Sequence, residues 1–253
     1  MNQQPAAEHP AAEHPDAEQP GLVIAVDGPA GSGKSTAARG VARALGLRYL
    51  DTGSTYRALT WWLLARGADV SDPAAVAAQC GETGEAGGGP VIEVGTDPQA
   101  PAIRVDGRDV AGPIRSREVS NAVSAVASVP EVRRRLVAMQ RDIIAAARAA
   151  GAGIVAEGRD IGTVVAPDAP VKVYLTAAEN IRARRRTADL AADPGATVAV
   201  TQAEQARRDR SDAAQMARAA DAVEIDTTAL GLDEVIREIV ALADSRTAGA
   251  WTG

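Results

Sequence analysis

The chain has 253 residues, a net charge of −6 and a hydrophobic fraction of 46% that rests on alanine rather than on aromatic residues. That length supports one substantial core with room for an inserted subdomain, and the acidic balance argues against a broad nucleic-acid footprint. A single cysteine, Cys80, excludes an intramolecular disulfide and any multi-cysteine zinc site. No apolar stretch reaches the length of a membrane span, and a reducing cytoplasm is the expected compartment.

Residues 1–20 repeat A-A-E-H-P twice and then D-A-E-Q-P. Proline every fifth residue, glutamate and no bulky apolar group describe a solvated, disordered tail, inert rather than metal-binding. It lacks the basic start and apolar middle of a signal peptide. His9 and His14, the only histidines, both lie in this tail. The remainder therefore cannot use histidine as acid, base or nucleophile.

Leu22 to Val26 read as a buried strand, and Lys34 to Leu45 as a helix. Between them Gly28–Ser35 spell G-P-A-G-S-G-K-S, a complete phosphate-binding loop in strand–loop–helix context. The three glycines let backbone N–H groups approach phosphate oxygens, and the helix N-terminus adds its own donors. Gly28, Pro29, Ala30, Gly31, Ser32, Gly33, Lys34, Ser35 and Thr36 are thus the expected triphosphate cradle. Lys34 reaches toward the β- and γ-phosphates, and the Ser35 hydroxyl toward Mg²⁺. The chain has only one other lysine, Lys172.

Further strands are expected at 48–50, 153–156, 171–175 and 222–225, with helical patterns between most of them. That alternation is the signature of a parallel α/β sheet flanked by helices. Pro73 and Pro130 mark helix starts, and Thr176/Glu179 and Thr201/Glu204 fit capping boxes. From about 81 to 113 the alternation breaks: V-I-E-V at 91–94 and A-I-R-V at 102–105 read as an inserted antiparallel hairpin. Helices at 116–127 and 130–149 return the chain to the core. Trp61 and Trp62 follow on a helix and read as packing residues. A stretch over 187–200 interrupts an arginine-rich helical region, as a flap that shields phosphoryl transfer would.

A phosphate-binding loop alone leaves kinases, GTPases, motors and binding modules open. No N-K-x-D base-reading motif occurs, and the strand at 171–175 ends in Thr176 rather than in an acidic residue. Arginine is abundant instead, and bidentate guanidinium groups suit transfer between two phosphates. Asp27, just before the loop, reads equally as a structural group or as an outer support of the site.

Four segments narrow the class: Y-L-D-T-G-S-T-Y-R at 49–57, D-V-A-G-P-I-R at 109–115 running into E-V-S-N-A-V-S at 118–124, V-P-E-V-R at 129–133, and E-G-R-D-I-G-T-V-V at 157–165. In this order they resemble the bacterial cytidylate kinase family over about residues 21–243. The resemblance implies a nucleoside monophosphate kinase domain over 21–247, with a monophosphate-binding insert at about 67–130 and a lid at about 185–213. It implies ATP and Mg²⁺ as donor and cofactor, CMP or dCMP as acceptor, no nucleic-acid or membrane partner, and a monomer. Lys34, Arg57, Arg159, Arg182, Arg185 and Arg208 would stabilise the transferring phosphoryl group. Thr52, Gly53, Arg57, Arg115 and Arg159 would surround the acceptor phosphate, Ser124, Arg133 and Asp160 the base, and Asp212 the sugar.

Cytosine chemistry agrees with Asp160 as the base reader, because a carboxylate accepts from the exocyclic N4 amino group, where uracil presents a carbonyl. Asp51 and Glu157 are expected to order Mg²⁺ through water, with Glu157 standing where the family carries Asp. In the lid, Gln215 occupies the family's second arginine position, and Arg218 is the expected substitute. The rival readings are a kinase for another monophosphate such as UMP and a non-catalytic nucleotide-binding module.

Overall fold

The computed structural model describes residues 21–80, 88–189, 195, 197–213 and 216–248. The tail at 1–20, residues 190–194 and 196 of the 187–200 flap, and Gln215 therefore lie outside the described residues, as does the chain from 81 to 87 that leads into the hairpin.

Strand β1 (Val23–Asp27) is buried at every position, and its side chains alternate between two apolar layers. Ile24 and Val26 join the cluster formed with helix α1 (Lys34–Ala44). Val23 and Ala25 face the opposite cluster. A strand covered on both faces needs a near-continuous apolar run, and V-I-A-V supplies one. Strand β2 (Arg48–Asp51) leads directly into helix α2 (Thr52–Ala65), whose first turn Asp51 caps by accepting from the Ser54 N–H at 3.0 Å. Asp72 caps the short α3 (Pro73–Ala78) in the same way.

The expected hairpin is a three-stranded sheet: β3 (Ile92–Val94), β4 (Ile103–Val105) and β5 (Arg108–Asp109), all antiparallel. The added strand follows from Asp106-Gly107, both at positive φ, a tight turn whose twist suits a hairpin. Asp106 also accepts from the Val91 N–H at 2.9 Å and from the Trp62 indole at 3.0 Å. Trp62 is buried, with Trp61 packed on the same cluster, between α2, this small sheet, α4 (Arg117–Ala127) and the start of α5 (Pro130–Ala149). The insert thus has its own apolar core. It is tied to the sheet by Tyr49 N–H to Thr96 O at 2.8 Å and by Arg39 to Pro98 O at 3.2 Å.

Strands β6 (Ile154–Gly158), β7 (Val171–Thr176) and β8 (Val223–Asp226) complete a five-stranded parallel sheet of order β2-β6-β1-β7-β8. Helices α6 (Glu179–Asp189), α7 (Val198–Asp212) and α8 (Leu232–Ala248) finish the chain, α8 packing against α1. Two expected helix starts are corrected. Thr197, not Thr201, caps α7 by accepting from the Val200 N–H, and Thr201 lies buried inside the helix. Thr176 belongs to β7, and α6 begins at Glu179.

After β6 the chain makes a π-helical turn over Ile161–Val165. Asp27 fixes it, accepting from the N–H groups of Ile161 and Gly162 at 2.8 Å each. Of the two readings open for Asp27, the structural one describes its contacts. Lys172 braces the same turn, donating to Pro167 O at 2.6 Å and to the Asp221 carboxylate at 2.8 Å.

Burial pushes the Asp27 carboxyl up from 3.8 to about 6, against the pull of the two N–H donors. The folded state therefore holds this proton more tightly than the unfolded chain does. The stability contributed by the neutral form is complete below pH 3.8 and is lost as pH rises through 6. Asp27→Asn does not titrate, so wild-type stability should decline relative to the variant by about 2–3 kcal/mol between pH 4 and pH 8. Urea melts of both proteins across that range test this, and a constant difference would refute it.

Candidate active site

The phosphate-binding loop leaves β1 at Gly28, where a Cβ would overlap the Leu175 carbonyl of the neighbouring strand. Gly31 and Gly33 take left-handed backbone conformations at φ +78 and +90, which L side chains adopt only at a cost. The loop is closed by Ser32 Oγ donating to Pro29 O at 3.0 Å and by Lys34 Nζ donating to the same carbonyl at 2.8 Å. Helix α1 has no side-chain cap and no acidic residue in its first turn. Its terminal N–H groups are left for an anion.

Below the loop the sheet order places β6, not β7, on the α2 side of β1, and the carboxylate that this brings to Ser35 is Glu157. Ser35 Oγ donates to Glu157 Oε2 at 3.0 Å, and the Tyr49 hydroxyl donates to Oε1. Thr52 Oγ1 donates to the Glu157 backbone carbonyl at 2.7 Å. Burial and the adjacent Asp51 push the Glu157 carboxyl up to about 7. Burial and the Arg159 charge bring Lys34 down to about 7.

These groups open onto a cavity of about 780 Å³ lined by the loop, α2, the small sheet, the segment Glu157–Arg159 and the lid helices. Among the described residues eight cationic side chains line it (Lys34, Arg39, Arg57, Arg115, Arg159, Arg185, Arg186 and Arg208) against two carboxylates, Asp51 and Glu157. Arg208 is half-buried, and desolvation with the nearby Arg57 and Arg159 charges lowers it to about 9. Arg159 is held by Asp212 at 3.2 Å and by the Met216 sulfur at 3.3 Å. Arg185 donates to Thr227 Oγ1 at 2.9 Å and to its carbonyl at 2.8 Å. Gly53 lies under Arg57, where a Cβ would stand 3.3 Å from the guanidinium. Such a density of positive charge in a concave site fits a polyanion.

Not every expected residue faces this cavity. Arg182 lies outside the lining, donating to Ala30 O at 3.2 Å and to Asp209 at 2.7 Å, so it clamps the loop. Arg218 is not the substitute for the missing lid arginine: it pairs with Glu224 at 2.9 Å on the surface. Asp212, in the lid, is buried against Arg159 rather than open to the cavity. Arg133 and Asp160 are hydrogen-bonded to each other. The hydroxyls of Tyr56 and Ser124 are buried with no partner among the described residues, and burial raises Tyr56 to about 12. Sequence reasoning gave no specific role to Tyr49, Arg39, Arg186 or Thr227. For Tyr49 the signal was strand alternation, which puts it on the same face as Asp51.

A parallel sheet with a phosphate-binding loop at the end of its central strand, roofed by arginine-bearing helices, defines a P-loop kinase. The sequence model of cytidylate kinase matches residues 24–245. Relatives named cytidylate kinase include one from Streptomyces coelicolor, 51% identical over 232 residues (90% of this chain, 95% of that one), and one from Streptomyces avermitilis, 48% identical over 231 residues (90% and 94%). Another, from Mycobacterium leprae, is 42% identical over 236 residues (91% and 99%). The chain belongs to the cytidylate kinase family.

The lid rests on the loop itself. Gln205 of α7 and Arg182 of α6 both donate to Ala30 O, and a Cβ on Gly31 would stand 2.7 Å from Arg182 O and 2.8 Å from Gln205 Nε2. Gly31→Ala should therefore displace the lid as well as strain the loop, lowering kcat/KM for ATP at least tenfold. Steady-state kinetics test this, and wild-type values would show that the lid does not need this approach.

Proposed function

We propose that the protein transfers the γ-phosphoryl group of ATP to CMP or dCMP, giving CDP or dCDP and ADP. The observation that carries this reading is the continuous arginine-lined cavity joining the phosphate-binding loop to Arg57 and Arg159. The donor triphosphate lies along Gly28–Thr36 with Lys34 at its β- and γ-phosphates. The acceptor phosphate lies over Gly53 between Arg57 and Arg159, with Arg115 and Thr52 beside it.

An acceptor-phosphate oxygen attacks the γ-phosphorus, a new O–P bond forms, and the bond to the β–γ bridging oxygen breaks as ADP leaves. The acceptor oxygen is already ionised near neutral pH, so no general base is needed. The protein's part is to position two anions and neutralise charge that moves to the bridging oxygen. Arg208, Arg185 and Arg186 supply that charge from the lid side. A hydroxyl and a carboxylate 3.0 Å apart, Ser35 and Glu157, are hard oxygen ligands that suit Mg²⁺ directly or through water, with Asp51 beside them. When bound, the ion would further neutralise the phosphates.

For the base, Asp160 accepts from cytosine N4, while Arg133 and the Ser124 hydroxyl donate to the ring acceptors. Their mutual ion pair keeps both charges in place until the base arrives. Asp212 holds Arg159 in place. Every group named belongs to one chain, so a monomer suffices, and the cytoplasm is the compartment we assign.

Purified protein with Mg-ATP and each monophosphate in turn should turn over CMP and dCMP far faster than UMP, AMP, GMP or dTMP. Comparable UMP rates would locate the acceptor reading in error, and nucleotide binding without turnover on any acceptor would make the protein a binding module. Asp160→Asn should lower the CMP/UMP ratio of kcat/KM by about ten- to a hundredfold, with KM for ATP unchanged. An unaltered ratio would remove Asp160 from base reading.

A further inference from the structure

Tyr49 and Asp51 lie two residues apart on β2, and Asp51 is in register with Glu157 on β6. Tyr49, Val155 and Val26 belong to the same apolar layer against α1, so the Tyr49 ring is held by the core while its hydroxyl reaches the carboxylate. Glu157 is 3% exposed and Tyr49 2% exposed. The carboxylate is thus gripped at both oxygens, by Tyr49 at Oε1 and by Ser35 at Oε2. This matters because glutamate has one more rotatable bond than aspartate. Cationic side chains stand close by: the charges of Lys34 and Glu157 act on each other across the floor of the site. A carboxylate released at Oε1 would turn toward Lys34 and draw it from the phosphates.

We infer that Tyr49 is a positioning residue for the kinase reaction: its hydroxyl aims Glu157 at Ser35, and so at the cation bound there, and keeps it off Lys34. The Tyr49 hydroxyl is given to Glu157, so Tyr49 acts through that carboxylate. Glutamate's longer stem brings the two carboxylate oxygens to Ser35 and Tyr49 at once. The inference rests on the kinase reading above.

Titration calorimetry of ADP, with and without Mg²⁺, tests both. Wild-type protein should bind ADP more tightly with Mg²⁺, and failure to bind ADP at all would sink the kinase reading and the inference with it. Tyr49→Phe should lose at least tenfold of the Mg²⁺-dependent tightening while CMP affinity stays at the wild-type value. In a Glu157→Asp background, where the carboxylate no longer reaches the hydroxyl, the same Tyr49→Phe change should have no further effect. Full Mg²⁺ enhancement in Tyr49→Phe, or an equal loss in both backgrounds, would overturn the role. A merely structural tyrosine would lower affinity for CMP and for Mg²⁺-free ADP alike. That result, too, would overturn it.

Discussion

Crowded positive charge is the constraint on which this molecule is organised. Lys34, Arg57, Arg159 and Arg208 stand near enough to one another that Arg159 and Arg57 depress both Lys34 and Arg208 in addition to burial. Such a cluster is unfavourable by itself and becomes favourable when a polyanion enters a site with little water. The chain tolerates it by anchoring individual guanidinium groups: Arg159 on Asp212 and Asp209, Arg185 on Thr227, Arg133 on Asp160. The anchors fix the direction of the guanidinium groups, and Arg159 and Arg185 still line the cavity.

Those anchors also join parts of the chain that are far apart in sequence. Asp209 accepts from Arg182 of α6, which donates in turn to the loop at Ala30, and Gln205 adds a second contact to the same carbonyl. The two lid helices therefore register on the phosphate-binding loop through the backbone of Ala30 and Gly31. On the other side of the lid, Arg117 of α4 donates to Glu204 of α7 at 2.6 Å. Helices α4 and α7 are thus tied to each other directly.

The sheet performs a different task. It places the ends of β1, β2 and β6 side by side, so that Asp27, Asp51 and Glu157 lie close together. The three acids are then used differently. Asp27 receives two backbone N–H groups and shapes the turn that carries Asp160. Asp51 caps the helix that presents Arg57. Glu157 is left facing Ser35 and Tyr49. Identical chemistry is separated into three roles by the donors that surround each group.

Much of this was legible in the sequence. Apolar runs located all five core strands to within about two residues, since a parallel strand buried on both faces leaves little choice of residue. The glycine pattern at 28–33 declared the loop because left-handed backbone and close approach demand glycine. The family resemblance assigned Asp160 and Arg133 to the base, and the fold pairs them with each other. What sequence could not decide were contacts between residues distant along the chain. Arg182, Arg185, Arg186 and Arg218 are chemically alike, and only packing sends Arg185 and Arg186 to the cavity, Arg182 to the loop carbonyl and Arg218 to a surface pair. Thr201 has the spacing of a cap, yet α7 starts at the preceding threonine's turn and buries it. Tyr49 carried no assigned role in the 49–57 segment, and only the register of β2 with β6 sets its hydroxyl against Glu157. Local rules fix what a residue can form, and the tertiary fold decides which partner is within reach.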